Sequence, residues 1–226
     1  MRVDAVPAGG GFAVAIDGRP ARTPEGRDLG LPSEALARAV ADEWRAQAET
    51  VKPESMPLTR LASTAIDRVG AGRRDVIDQA LKYAETDLLC YRAEALPELA
   101  ESQQMRWQPL LDWAAEAEGA RLRVTAGVSP VAQPKAALAA LRAAVEALDD
   151  MELAVLSTVT AATGSLIVAL ALLGGRIGAD EAFETSQVDE SFQISRWGED
   201  AEAEDRRRRL KADIRAAADF LGLLRG

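Results

Sequence analysis

The side chains best suited to acid–base chemistry or metal binding lie in the segment 180–204. Four carboxylates, Asp189, Glu190, Glu199 and Asp200, are close enough in sequence to suggest acid–base chemistry or metal binding. No phosphate-binding glycine loop, nucleophilic serine motif or metal-ligand motif accompanies them. The sequence therefore favours a protein that is not an enzyme, and a carboxylate-based hydrolase remains an alternative.

The composition excludes several other catalytic mechanisms. The chain of 226 residues has no histidine and one cysteine, Cys90. It therefore lacks the imidazole that serine and cysteine nucleophiles use as a base, and it has no paired thiols for a disulfide or a zinc knuckle. Cys90 is predicted to be a small core residue, and we expect neither a metal ion nor another cofactor.

The same segment carries a stripe of mixed side chains at helical spacing. Glu190, Ile194 and Trp197 fall on one face of a predicted helix over 180–204 that is broken once, and Gln193 lies beside them. An aromatic anchor next to a charged group and an amide is typical of a protein-recognition surface. The alternative is that Trp197 and Ile194 pack in the core and Glu190 is solvated.

The charge balance argues against nucleic acid and anionic membranes as partners. The net charge is −9 and only 4% of the residues are aromatic, so both a basic field and a stacking platform are lacking. The basic run 206–209 follows Glu202, Glu204 and Asp205, which predicts ion pairs within a solvated helix.

The longest uncharged run, 153–175, decides between two classes of protein. Its 23 residues are long enough to cross a bilayer, which would make the chain a membrane-associated helical scaffold. Small and hydroxylated residues interrupt the run, and no aromatic belt or basic cluster flanks it. We therefore predict a buried central helix and no stable membrane insertion.

The amino-terminal part predicts a small α+β unit. Phe12, Val14 and Ile16 alternate with alanines in a strand, and Asp17-Gly18 is a typical hairpin turn before an edge strand over 19–23. Ser33 is a predicted helix N-cap, and the helix runs to about Ala48 with Leu36, Val40 and Trp44 on its apolar stripe.

The rest of the chain predicts a larger, mostly helical domain. Its helices cover 58–69 and 73–85, separated by Gly70-Ala71-Gly72, then 97–118, and a further helix that begins at Pro134. A proline-containing linker over 50–57 divides the chain into a small α+β domain, 1–56, and a helical domain, 57–226. The predicted fold class is α+β.

Four separated motifs resemble one known family. They are IDGRPARTP over 16–24, LPSEALARAVADEWRAQ over 31–47, MPLTRLASTAIDRV over 56–69, and DESFQISRWGEDAE over 189–202, the last preceded by TGSL and ALAL. In this order they resemble the assembly chaperones of the F1-ATPase alpha subunit, a family of mitochondria and alphaproteobacteria. The resemblance covers most of the chain and implies a small α+β domain followed by a helical domain.

The resemblance also implies a function without turnover. It implies binding of the unassembled alpha subunit of ATP synthase and shielding of its beta-facing interface until beta joins, with no small-molecule substrate. It indicates that the partner-binding residues are Glu190, Gln193, Trp197 and Asp200. For Trp44, the apolar stripe favours packing instead. The amino terminus lacks the apolar centre of an export signal, so we expect a cytoplasmic protein in a bacterium, with eukaryotic relatives in the mitochondrial matrix.

Overall fold

The fold has short amino-terminal strands followed by a mostly helical body, as a computed structural model of residues 2–198 and 200–226 describes it. The predicted α+β class is confirmed. The chain divides into two compact units. The first comprises Met1–Val76, Asp149–Val155 and Ala216–Gly226, and the second comprises Ile77–Leu148 and Leu156–Arg215. The predicted domain division at residue 56 stays a prediction, since compactness alone does not define independent folding.

A four-stranded sheet opens the first unit. Its strands are β1 (Val3–Ala8), β2 (Gly11–Ile16), β3 (Arg19–Pro20) and β4 (Gly30–Leu31), and β2 pairs antiparallel with the other three. The sequence indicated β2, its turn and a short edge strand after it but not β1, which contains Pro7 and lies at the sheet edge. Gly11 has no room for a side chain, because a Cβ there would meet the Leu31 carbonyl oxygen at 2.6 Å.

Helix α1 (Glu34–Arg45) packs on β1 and β2. Ser33 caps it as predicted, since the Leu36 N–H donates to the serine oxygen at 3.1 Å. The buried face carries Leu36, Ala37, Val40 and Ala41. The helix ends three residues before the predicted end at Ala48, which is exposed.

The next helices run almost without interruption. They are α2 (Pro57–Thr64), a π-helical segment (Ala65–Val69) and α3 (Gly70–Glu85). The predicted separation at Gly70-Ala71-Gly72 corresponds to a kink inside α3, where Gly72 has non-helical backbone angles. Glu43 holds the start of α2, because its carboxylate accepts from the Leu58 and Thr59 N–H groups, each at 2.8 Å.

The second unit contains most of the remaining elements. Beyond a short parallel pair, β5 (Tyr91–Arg92) with β6 (Thr125–Ala126), the helices are α4 (Pro97–Ala117), α5 (Lys135–Glu146), α6 (Asp150–Thr163), α7 (Leu166–Leu173), α8 (Ala179–Ser186), α9 (Val188–Trp197) and α10 (Ala201–Arg225). Helix α4 packs against α7 and α9, and α7 packs against α8. The predicted single break over 180–204 is in fact two, after α8 and after α9.

The uncharged run is buried but is not one helix. It forms most of α6 and all of α7, and every residue of α7 is buried. The chain breaks at Gly164, whose φ of +72° is readily adopted only by glycine. Among the described residues, no helix combines the length and apolarity that a membrane crossing requires.

A buried carboxylate holds this break. Asp87 is fully buried and accepts hydrogen bonds from the Ser165 hydroxyl at 2.7 Å and from the Ile167 N–H at 3.2 Å. Ser165 in turn caps α7 by accepting from the Val168 N–H at 3.0 Å. A negative group at a helix N-terminus is stabilised by the helix dipole and by the unpaired amides.

Burial nevertheless raises the pKa of the Asp87 carboxyl from the ordinary 3.8 to about 6, because the hydrogen bonds from Ser165, Leu89 and Ile167 offset desolvation only in part. The neighbouring Cys90 is buried, as predicted, and burial together with the nearby Asp87 raises the pKa of its thiol to about 12.

We predict a pH-dependent stability difference between the wild type and Asp87→Asn. Between pH 3.8 and about 6 the folded protein holds the Asp87 proton more tightly than the unfolded chain, so this group stabilises the fold less as the pH rises. Wild-type minus variant free energy of unfolding should fall by about 3 kcal/mol from about pH 3.5 to about pH 7. Urea titrations across this range measure it.

A companion variant, Ser165→Ala, keeps the carboxyl and removes the hydroxyl that favours its charged form. The upper end of the pH window in which stability falls should then move to higher pH, while its lower end stays at the pKa of the unfolded chain. A wild-type minus Asp87→Asn difference that is constant with pH would contradict the burial argument.

Candidate functional site

The candidate partner-binding surface lies on α9 and the turn that follows it. Glu190, Gln193 and Trp197 lie on one face of α9, as the spacing predicts. Trp197 is the last residue of the helix and is 74% exposed, and Gln193 is exposed as well. The alternative in which Trp197 packs in the core is therefore wrong.

Helix α4 holds α9 from one side through buried polar contacts. Gln103, which is 2% exposed, accepts from the Ala93 N–H and donates to the Asp189 carboxylate, both at 2.7 Å. Trp107, which is fully buried, donates from its indole nitrogen to the Thr185 carbonyl at 2.9 Å. The polar side chains of α4 therefore fix the orientation of α8 and of the start of α9.

A cation stacks beside this contact. The Arg92 guanidinium lies 5.0 Å from the centroid of the Trp107 ring and donates to the Leu89 carbonyl. Burial lowers the pKa of Arg92, and the nearby Asp189 carboxylate counters this in part. The aromatic face compensates a buried cation for some of its lost hydration.

Helix α10 holds α9 from another side through the basic run. Arg207 donates to the Gln187 side chain at 3.1 Å and to the Ser191 hydroxyl at 3.2 Å. Arg206 donates to Glu190 at 3.3 Å. Ion pairs within the helix, as predicted, are formed by Arg208 with Glu204 and Asp205. The sequence predicted the ion pairs within the basic run 206–209 but not the contacts of this run with α9.

Glu190 is thus a paired carboxylate that remains partly accessible. Its side chain is 33% exposed while it contacts Arg206. Such a pair contributes little to stability because water screens it. Its oxygens can therefore exchange Arg206 for a cation on a partner at small cost.

Asp200 has a local structural task. Its carboxylate accepts from the Ala203 N–H at 2.8 Å and thereby caps α10. It is exposed and follows Trp197 by three residues. The site prediction for Glu190, Gln193, Trp197 and Asp200 as partner-binding residues stays a prediction.

A shallow notch adjoins the end of α9. Leu96, Pro97, Glu98, Phe192 and Arg196 line it, with a volume of about 290 Å³. Arg196 pairs with Glu98 and lies 4.7 Å from the centroid of the Phe192 ring. Sequence reasoning missed this notch, because Leu96 and Phe192 are almost a hundred positions apart.

The carboxylates of this segment do not form a joint centre. Asp189 binds Gln103, Glu190 pairs with Arg206 and Asp200 caps α10, while Glu199 lies outside the described residues. Over 2–198 and 200–226, no group of three or more carboxylate or thiol side chains is placed to hold a metal ion. The described geometry therefore gives no support to the hydrolase alternative.

Gln103 offers a direct test of how α9 is positioned. In Gln103→Met the Ala93 N–H and the Asp189 carboxylate lose their partner, so the free energy of unfolding should fall by about 2 kcal/mol. Gln108→Met is the matched control on α4, because Gln108 donates to Asp112 at the surface, and it should cost less than about 0.5 kcal/mol. Equal losses in urea denaturation would show that the buried bridge does not hold α9.

Comparisons with known proteins give a consistent result. The family model described as ATP12 chaperone protein matches residues 1–115. The mitochondrial protein atp12 of Schizosaccharomyces pombe is 28% identical over 201 residues, which cover 84% of this chain and 69% of the relative. The crystal structure of Atp12 from Paracoccus denitrificans is 44% identical with a TM-score of 0.93, covering 99% of this chain and 96% of that one. A crystal structure of a protein from Agrobacterium tumefaciens is 40% identical with the same TM-score, covering 98% and 84%.

Proposed function

This chain belongs to the ATP12 chaperone protein family, and from that premise we propose that it assists the assembly of ATP synthase. In this proposal it binds the unassembled alpha subunit of F1-ATPase and covers the surface through which alpha meets beta. A subunit that waits for its partner exposes a large apolar interface, which promotes self-association. Covering that interface is a holding function that needs no turnover and no cofactor.

The exposed indole of Trp197 is the observation that carries this proposal. A tryptophan that is 74% exposed at the end of a helix leaves apolar area in water, and such residues are enriched among binding hot spots. The contacts of α9 with α4 and α10 hold its backbone in place. The indole is therefore presented from a fixed helix and loses little conformational freedom on binding.

Glu190 supplies the charged part of the proposed contact. It shares a helix face with Trp197 and is paired only with the exposed Arg206 among the contacts described above. We infer that Glu190 meets a cation of the alpha subunit and so mimics part of what beta presents. Apolar neighbours such as Trp197 would exclude water and strengthen this pair.

The proposed place of action follows from the family. One relative is the mitochondrial protein atp12 of a yeast, and we propose the same compartment, the matrix, for the eukaryotic members. For a bacterial chain we propose the cytoplasm, where F1 subunits are made.

The proposal predicts a specific loss of alpha-subunit binding. Trp197→Ala should weaken binding of the isolated alpha subunit by about 30-fold, since it removes a hot spot of about 2 kcal/mol. Glu190→Gln should weaken it by about tenfold. Titration with purified alpha and, separately, purified beta subunit measures both effects.

Two matched variants control for general surface changes. Met105 is also a large exposed apolar residue, 66% exposed on α4, and Glu181 is an exposed carboxylate on α8. Met105→Ala and Glu181→Gln should each change binding by less than about twofold. If the Trp197 and Glu190 variants bind with wild-type affinity, the proposed surface is wrong. If the wild-type protein binds to neither subunit, the proposed function is wrong.

A further inference from the structure

A second concave surface lies in the first unit, far along the sequence from α9. A cavity of about 510 Å³ is bounded by residues 22–24, the end of α1, the segment before α2, and one face of α2 with the π-helical segment. Its apolar lining comes from Pro24, Trp44, Val51, Pro53 and Met56. A volume of this size is typical of a ligand pocket.

Trp44 lines the cavity with part of its ring, whereas its indole nitrogen has almost no accessible surface. The indole nitrogen of Trp44 is buried and has no hydrogen-bond partner within the described residues. The sequence favours packing for Trp44 in the α1 stripe, and the half-buried residue also lines the cavity.

One wall of the cavity is built around a π-helical turn. The turn carries Asp67, which is 8% exposed and accepts from the Thr23 hydroxyl at 2.7 Å and from the Glu25 N–H at 3.3 Å. Arg27 donates to the Ile66 carbonyl at 2.6 Å on the same turn. Single π-helical turns are frequent at functional sites, and here the turn fixes the wall while the Asp67 charge is satisfied internally.

The charged groups of the cavity are mainly cationic. Its lining includes the guanidinium groups of Arg22, Arg60 and Arg68, with Asp67 as the one carboxylate among its described lining residues. The chain as a whole has a net charge of −9. A cationic cavity in an acidic protein attracts acidic ligands locally and discriminates against basic ones.

We propose that this cavity is a binding site for an acidic peptide segment of another polypeptide. An apolar side chain of that segment enters the cavity and packs against the Trp44 ring and the other apolar lining residues. Acidic side chains on either side of the apolar one meet the arginines. A peptide supplies the apolar and the acidic side chains along one chain, which suits a member of a chaperone family. The inference does not depend on which subunit the α9 surface binds.

The indole resonance of Trp44 reports binding directly. Selective ¹⁵N labelling of tryptophan in the full chain gives one indole N–H signal for each of the four tryptophans, and Trp44→Phe identifies the signal of interest. Titration with the blocked peptide Gly-Glu-Leu-Glu-Gly should shift that signal saturably and leave the signals of Trp107, Trp113 and Trp197 unchanged. Gly-Lys-Leu-Lys-Gly, of opposite charge, and Gly-Glu-Gly-Glu-Gly, without the apolar side chain, should each bind at least about tenfold more weakly.

Charge reversal at the cavity gives the second arm. Arg60→Glu combined with Arg68→Glu should weaken the Glu-Leu-Glu peptide by at least about tenfold, and the three remaining indole signals confirm that the variant is folded. Arg19→Glu, an exposed arginine of β3 outside the lining, should leave the affinity within about twofold. Hexanoate tests for a small carboxylate as the occupant.

Three results would overturn the proposal. The first is a Trp44 signal that does not respond to the acidic peptide, and the second is an equal response to acidic and basic peptides. The third is a response to hexanoate that exceeds the response to the peptide, which would identify a small-molecule pocket.

Discussion

The second unit depends on a carboxylate buried at the break of the uncharged run. Asp87 binds the Ser165 hydroxyl and the Ile167 N–H, so it supplies the acceptor that the first turn of α7 requires. The break at Gly164 lets α7 leave the direction of α6 and bury all its side chains. A full negative charge there costs free energy, which is why the pKa of Asp87 rises to about 6.

The surface proposed for partner binding depends on how α9 is held. Gln103 and Trp107 of α4 make buried polar contacts to Asp189 and Thr185, and Arg206 and Arg207 of α10 contact the face nearby. These contacts pair polar side chains on both sides of α9, while the indole of Trp197 remains exposed to water. A rigid helix that presents an exposed aromatic side chain beside a carboxylate is suited to holding another protein.

Sequence patterns predicted the elements better than their environments. Spacing placed Glu190, Gln193 and Trp197 on one helix face, but whether that face is buried depends on α4 and α10, which are distant in sequence. The same limit explains the uncharged run, whose apolar character predicted burial while its break needed Asp87, 78 positions before Ser165. Strand β1 was missed because Pro7 weakens the strand pattern. The cavity at Trp44 was missed because its walls come from parts of the chain that are separated in sequence.

Site-specific photo-crosslinking tests the central claim most directly. A photoreactive phenylalanine derivative at position 193, on the face that Glu190 and Trp197 share, is illuminated with isolated alpha subunit and with isolated beta subunit. The account predicts a crosslink to alpha from position 193, and none from the same group at position 105 on α4. A crosslink to alpha from position 105 alone, or to beta alone from position 193, would contradict it.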